Sequence, residues 1–366
     1  MSKIYAKPKY IRRCILSKHL YQHLYRRSFG SKMSKKVVVI CLPCKYEKMR
    51  VKFWGVRGSI GSAVIHEQVE SKIRRVLSLA SPADILSNET IDHFLGTLPF
   101  SLRGTYGGNT TCIELRSDND DLIIIDAGTG LRRLGAELMM QERYRRGSEI
   151  TMFFTHSHWD HIQGLMFFPP LLIPGNTIHF HSSVADLEDR LKYQQPKTHF
   201  PISFDEMASE KHFNFFKEGD WTEVHGIKVT SKSVRHPGGC FSYKFVSPQD
   251  KKFIFCSDAE FSLEIMDEIG PYIEYFQDAD VLVFDTQYTF EESLQKIDWG
   301  HSSAAIATDI AIKSNVKKLI LFHHDPSYDD DKMDAVTIQA LKYKDMMAPN
   351  HPLTIQTAYE GLELEI

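Results

Sequence analysis

From Met49 onward, short apolar runs bounded by Gly, Asp and Asn recur along the chain, the pattern of strands separated by turns. The opening run, "MRVKFWGV", predicts a strand over 51–57, and "NTTCIELR" at 109–116 alternates apolar and polar positions. "LIIID" at 122–126 and "ITMFFTH" at 150–156 follow, and further strands are expected at 177–182, 227–234, 241–247, 252–257, 280–285 and 317–322. Helical patterns fall between them at 130–142, 260–277, 302–314 and 332–346. The third of these opens on Ser302 and Ser303 as capping candidates and stops before Asn315. Residues 62–105 break the rhythm with "HEQVESKIRRVLSLA" and "ETIDHFLGTL", a helical insertion of the kind that serves as a lid or a dimer surface. Strands first, then strands mixed with helices, predict two sheets with helices outside.

Composition narrows the class. With 42% apolar and 25% charged residues, the 366-residue chain has the profile of a globular protein. Its longest apolar runs, 37–43 and 281–284, fall far short of the ~20 residues of a membrane span, so no membrane association is expected. Residues 1–48 hold thirteen Lys or Arg and one acid, Glu47, a net of +12. The whole chain is −3, so residues 49–366 carry −15. A domain that acidic is a poor general nucleic-acid binder. The basic segment reads as a disordered extension or one ahead of the native start. Six cysteines in a chain of this size do not make a disulfide framework. Cys41 and Cys44 form a CxxC with no second pair beside it, and Cys256 ends an apolar strand and is expected to pack. No secretory signal is evident, so a cytoplasmic location is expected.

Chemistry enters with "FFTHSHWDHIQG" at 153–164, which places three histidines and an aspartate directly behind an apolar strand. In an extended strand end His156 and His158 point the same way, and after a turn Asp160 and His161 can project back toward them. Imidazole nitrogens and carboxylate oxygens are ordinary ligands of zinc and similar divalent ions. Two pairs so close suit two metals. Later strand ends repeat the pattern: His236 after 227–234, Asp258 after 252–257, and His323 with His324 and Asp325 after 317–322. Each alone reads as a cap or turn residue; the fourfold repetition argues for one site.

The HxHxDH motif at 156–161, followed by His236, Asp258 and His323, resembles the metallo-β-lactamase fold superfamily. "VFDTQYT" at 283–289 and "WGHSSAAIATDIAIKSNVKKLILFHHDPSY" at 299–328 resemble the branch containing the tRNA 3′-end endonucleases and related cyclic-nucleotide phosphodiesterases. "DAGTGLRRLG" at 126–135 matches that family's Asp-Gly turn beneath the site. The resemblance covers roughly residues 50–366, with the insertion at 62–105 outside it. It implies an α/β fold, a four-layer αββα sandwich of two mixed β-sheets with external helices, and a single hydrolase domain over 49–366. It also implies one metal on His156, His158 and His236, and a second on Asp160, His161 and His323, with Asp258 bridging. Zinc is the expected ion and manganese its competitor. Histidine rather than glutamate at position 158 argues against the di-iron relatives.

Two cations would make a hydroxide available near neutral pH. The resemblance places His301 over the scissile group, oriented by Asp285, to neutralise charge and supply a proton to the leaving alkoxide. His301, Asp285 and Asp160 are thus the expected catalytic residues. The alternative for His301 is a helix cap, and for His324 a surface or supporting role. Arg57 in "WGVRGS" and Asn109 in "TYGGNTT" are candidate phosphate contacts, with the amides near 107–109 as a cradle, although the glycines there equally shape turns.

The expected function is hydrolysis of a small phosphodiester such as a cyclic nucleotide. tRNA 3′-processing is the alternative, weakened by the acidic domain and by "HSSVADLEDRLKYQQPKTHFPISFDE" at 181–206, which is no Gly/Pro-rich arm. "HHDPSYDDD" at 323–331 is also more acidic than those nucleases carry. A lactone or thioester hydrolase, or a non-catalytic sensor, shares the metals without needing the His301–Asp285 pair. Many relatives are dimers, so a homodimer is possible on the resemblance.

Overall fold

The computed structural model describes residues 48–261 and 269–366. The basic segment up to residue 47, with its Cys41–Cys44 pair, lies outside the described residues, as does the middle of the helix expected over 260–277. Among the described residues the strands form two seven-stranded sheets. The first contains β1 (Arg50–Gly55), β2 (Cys112–Arg116), β3 (Leu122–Ile125), β4 (Glu149–Phe154), β5 (Thr177–Ser182) and β6 (Glu210–Phe215) in that order, with β14 (Glu363–Glu365) added beside β1. The second runs β7 (Trp221–Val224), β8 (Ile227–Val234), β9 (Cys240–Val246), β10 (Lys252–Cys256), β11 (Val281–Asp285), β12 (Lys318–Phe322) and β13 (Thr354–Thr357). Both are mixed on one plan. Pairing is antiparallel from β14 to β3 and from β7 to β10, then parallel through β4, β5 and β6 and through β11, β12 and β13.

Among the described residues the α-helices longer than four residues are α1 (His66–Leu79), α2 (Asn88–Thr97), α3 (Gly130–Met139), α4 (Leu187–Gln194), α5 (Gly270–Phe276), α6 (Phe290–Gln295), α7 (Ala304–Lys313) and α8 (Asp330–Met347). α3 and α4 pack on the outer face of the first sheet, through Leu131, Leu134, Leu138, Leu187 and Leu191. α5, α7 and α8 cover the second, through Phe276, Ile306, Ile310, Met333 and Val336. A third core fills the space between the sheets, with Phe53, Ile123, Ile125, Phe245, Phe255, Val283 and Phe322. The result is the expected four-layer αββα sandwich. Central strands are buried on both faces, which explains their unbroken apolar runs. In β3, Ile123 and Ile125 face the other sheet while Leu122 and Ile124 face the helices.

Where a strand leaves no trace in the sequence pattern, the reason is exposure. β6, β7, β13 and β14 are edge strands whose residues are largely half-exposed or exposed, so they carry no apolar run. The strand expected over 109–116 starts only at Cys112. Gly55, the last residue of β1, has no room for a side chain, since a Cβ there would lie 1.8 Å from the Thr110 carbonyl oxygen. The insertion at 62–105 is helical, and α1 buries none of its residues.

Candidate metal centre

The parallel strands deliver their carboxyl ends to one region of the sandwich, where α/β folds place their sites. β4 ends at Phe154, and the chain continues through His156 and His158 into a single helical turn, Trp159–Ile162, that carries Asp160 and His161. Asp126, just past β3 in a left-handed conformation (φ 58°), organises this segment. Its Oδ1 accepts the Thr155 N–H at 2.9 Å, and its Oδ2 accepts the Thr155 hydroxyl at 2.8 Å. The same Oδ2 lies 2.8 Å from His161 Nδ1, so Nδ1 donates and Nε2 is the ring atom turned into the site, where a cation would replace its proton.

His161 Nε2 lies 3.3 Å from Asp160 Oδ2, 3.0 Å from Asp258 Oδ2 and 3.4 Å from His323 Nε2. His323 Nε2 lies 3.1 Å from Asp160 Oδ2 and 3.2 Å from Asp258 Oδ2. Ligand atoms about 2.0–2.1 Å from a central zinc would form a tetrahedron with edges of about 3.3 Å. Five of its six edges are therefore present within a few tenths of an ångström.

The second group is His156, His158 and His236. His236 Nε2 lies 3.0 Å from His158 Nδ1, while His236 Nδ1 is held by the Gly300 carbonyl at 3.0 Å. Asp258, at φ 52° after β10, stands between the groups. Its Oδ1 is 3.8 Å from both His156 Nε2 and His236 Nε2, and its Oδ2 faces His161 and His323. His156 Nε2 is buried with no hydrogen-bond partner, an orphan that a cation would satisfy.

Charge follows the same division. Burial, with neighbouring imidazoles, lowers the pKa of His156, His158 and His236, leaving them neutral and ready to ligate. Burial works against ionisation of Asp160 and Asp258, but His161 and its neighbours outweigh it and hold both carboxyls well below their ordinary range. Burial likewise opposes a charge on His161, and Asp258, Asp160 and Asp126 overcome it, raising its pKa well above the usual value.

His301 lies beside this centre. Its Nδ1 is 2.7 Å from Asp285 Oδ2, and its ring stacks on His323 with centroids 5.0 Å apart. Burial lowers its proton affinity, but Asp285 more than compensates and the pKa rises to about 9. Asp285, fully buried at the end of β11, also accepts the backbone N–H groups of Ala259 and Gln287, at 3.0 and 3.1 Å.

Sequence reasoning missed two supports. Glu260, 3% exposed, accepts the N–H groups of Asp298 and Gly300 at 3.0 and 2.8 Å. It thereby fixes the turn that offers the Gly300 carbonyl to His236 and leads into His301. No sequence signal marks it, since a carboxylate there reads as the start of a helix. Gly58 is the other: a Cβ would sit 2.6 Å from two atoms of the His323 ring. The adjacent Ser59 N–H donates to Asp160 Oδ2 at 2.7 Å.

Arg57 and Asn109 are not brought to the cluster. Arg57 is buried, its Nε donating to the Gly107 carbonyl at 2.8 Å and its Nη1 to those of Asp325 and Tyr328 at 3.0 and 2.9 Å. Asn109 gives its side-chain amide to both oxygens of Glu360, whose Oε1 also receives the N–H groups of Gly108 and Asn109. The expected phosphate cradle holds a protein carboxylate instead. His324 is buried rather than on the surface, with Nε2 2.8 Å from the Ala358 carbonyl.

Known proteins resemble this chain in sequence and in fold. The model of the beta-lactamase superfamily domain matches residues 122–324. A ribonuclease Z of Prochlorococcus marinus (strain MIT 9515) is 25% identical over 64% of this chain and 88% of its own. The fold is shared with yeast PDE1, at a TM-score of 0.57 and 13% identity, over 87% of this chain and all of that one. It is shared also with the short form of human tRNase Z, at a TM-score of 0.51 and 15% identity, over 86% of this chain and 98% of that one.

Proposed function

This chain belongs to the beta-lactamase superfamily and is a metal-dependent hydrolase of the metallo-β-lactamase fold, and from that premise we propose that it is a two-metal phosphodiesterase acting on a small phosphodiester, with cyclic nucleotides the leading class. One observation carries the reading: the two oxygens of Asp258 face two separate ligand groups, with His301 stacked at the edge of one of them. His156, His158 and His236 would hold one cation and Asp160, His161 and His323 the other. Five imidazoles with two carboxylates favour zinc, with manganese the competitor. When bound, the pair supplies Lewis-acid polarisation of the diester and an activated water.

The chain's own residues do the remaining work. Asp285 fixes the His301 ring through Nδ1, leaving Nε2 as the donor to a leaving oxygen. Without metal, Asp285 raises the pKa of His301 to about 9, and a protonated ring there would offset negative charge on the phosphoryl oxygens. Asp126 keeps His161 in the ligating tautomer, and Glu260 holds the turn that positions both His236 and His301.

A second reading, tRNA 3′-processing, is favoured by the name of the Prochlorococcus relative. Against it stands the net charge of −15 over residues 49–366, since a folded RNA is held chiefly through its phosphates. We propose the cytoplasm as the compartment, on three buried free cysteines, Cys112, Cys240 and Cys256. No helix among the described residues is long and apolar enough to cross a membrane. We propose a homodimer because α1 exposes Val69, Ile73 and Leu77 along one face, with Ile65 just before it; sedimentation at the monomer mass would dismiss it.

The deciding experiment is hydrolysis of bis-p-nitrophenyl phosphate, a panel of cyclic nucleotides and a precursor tRNA by metal-loaded protein, with His301→Ala and Asp258→Ala alongside. Turnover of the small diesters, abolished by both changes while His301→Ala retains its metals, is the expected result. Undiminished turnover by His301→Ala would dismiss its role, and turnover confined to the tRNA would favour the second reading.

A further inference from the structure

The turn that carries His156 and His158 also forms one wall of an open cleft of about 550 Å³, bounded by Ser157, Trp159, Ile162, Arg190, Tyr193 and His199. Trp159 follows a metal-ligand candidate directly, yet it is 76% exposed. Tyr193 is 88% exposed. It belongs to α4, which buries Leu187 and Leu191 against the first sheet and turns Arg190 and Tyr193, one helical turn apart, toward the cleft. Arg190 is fixed there, its Nη1 donating to Ser157 Oγ at 3.2 Å and its Nε to Asp186 at 2.9 Å.

Two uncovered aromatic rings on separate elements, with an immobilised guanidinium between them in sequence, make a poor site for an aliphatic group. They make a good one for a planar, polar heteroaromatic ring, which stacks on aromatic faces whatever its exact identity. The cleft falls in the size range of small-ligand sites. Ser157 and Trp159 of the cleft alternate along the chain with His156 and His158 of the three-histidine group, so a nucleotide whose phosphate lies at that centre can reach the cleft with its base.

We propose that this cleft is a base-binding subsite, in which Trp159 and Tyr193 stack on the nucleobase of the nucleotide being hydrolysed and Arg190 borders its edge. The proposal deepens the phosphodiesterase reading and rests on it. The base can belong to a free cyclic mononucleotide or to the nucleotide flanking a cleavage point in RNA, and the cleft's chemistry is common to both.

The test is a ratio of kcat/KM values for two diesters that differ in the base: thymidine 5′-(p-nitrophenyl) phosphate against methyl p-nitrophenyl phosphate, with metal-loaded full-length protein. The wild type should prefer the nucleoside diester, and Tyr193→Ala and Trp159→Ala should each cut that preference about tenfold, while Trp159→Phe keeps most of it. Repeating Tyr193→Ala with cyclic AMP and with a precursor tRNA shows which source of base uses the cleft. A wild type with no preference, or variants that keep it, would overturn the subsite while leaving the phosphodiesterase standing. If neither diester is turned over, that reading fails first. The cleft is then judged by AMP binding followed through tryptophan fluorescence, where a dissociation constant unchanged by Tyr193→Ala overturns it.

Discussion

Replacing Asp126 with asparagine should unseat one cation without moving the backbone. The change is nearly isosteric, and asparagine's carbonyl can still accept the Thr155 N–H now bound at 2.9 Å. Its amide nitrogen, however, then replaces the oxygen that faces His161 Nδ1 and the Thr155 hydroxyl, each at 2.8 Å. A donor now meets a donor. The imidazole can escape by shifting its proton to Nε2, the atom 3.0 Å from Asp258 and 3.4 Å from His323, and so loses the lone pair a cation needs. Loss of such a supporting partner costs about 10- to 100-fold in metal affinity, or roughly 1.4–2.8 kcal/mol. The effect should fall chiefly on the His161 side, because His156 reaches Asp126 only through the Thr155 hydroxyl, 3.1 Å from its Nδ1, whereas His161 donates to it directly. The assay is competition against a graded series of chelators, with bound metal counted at each step. One of the two sites should empty at 10- to 100-fold lower chelator strength in Asp126→Asn. Both sites matching the wild type within twofold would refute the tautomer argument.

Other consequences follow from the same geometry. Glu260→Gln leaves one of the two N–H groups of Asp298 and Gly300 facing an amide donor inside the protein, which should destabilise the fold by about 1–3 kcal/mol. It should also lower kcat more than it raises KM; urea denaturation and steady-state kinetics check both. In metal-free protein the His301 imidazole should titrate near pH 9 by NMR, and Asp285→Asn should bring that value down. Because its folded pKa is raised above the ordinary 6.5, the His301–Asp285 pair adds stability that is full below about pH 6.5 and disappears as pH rises through about 9. Melting temperatures across that window should show the loss in the wild type and not in His301→Gln.

Legibility in the sequence tracked burial. β3, β4, β10, β11 and β12 are central, covered on both faces, and announce themselves as apolar runs; the edge strands β6, β7, β13 and β14 keep half their residues in water and leave no such trace. The seven candidate ligands were readable because each follows a strong strand, and the structure brings all seven together. Arg57 and Asn109 show the converse. A cation and glycine-rich amides beside a strand look alike whether they hold a phosphate or, as here, loop carbonyls and Glu360. Glu260 and Gly58 act through contacts with residues 38 and 265 positions away, which no local pattern encodes.

If two cations share Asp258, the metal content per chain will report it. Purified protein equilibrated with excess zinc, freed of unbound ion and analysed for its elements, should hold two ions per chain. Asp258→Ala, which removes the one group facing both ligand sets, should hold fewer, with both sites weakened together. A wild type that binds a single ion, or an Asp258→Ala protein that keeps two with unchanged affinity, would rule out a carboxylate shared by two cations.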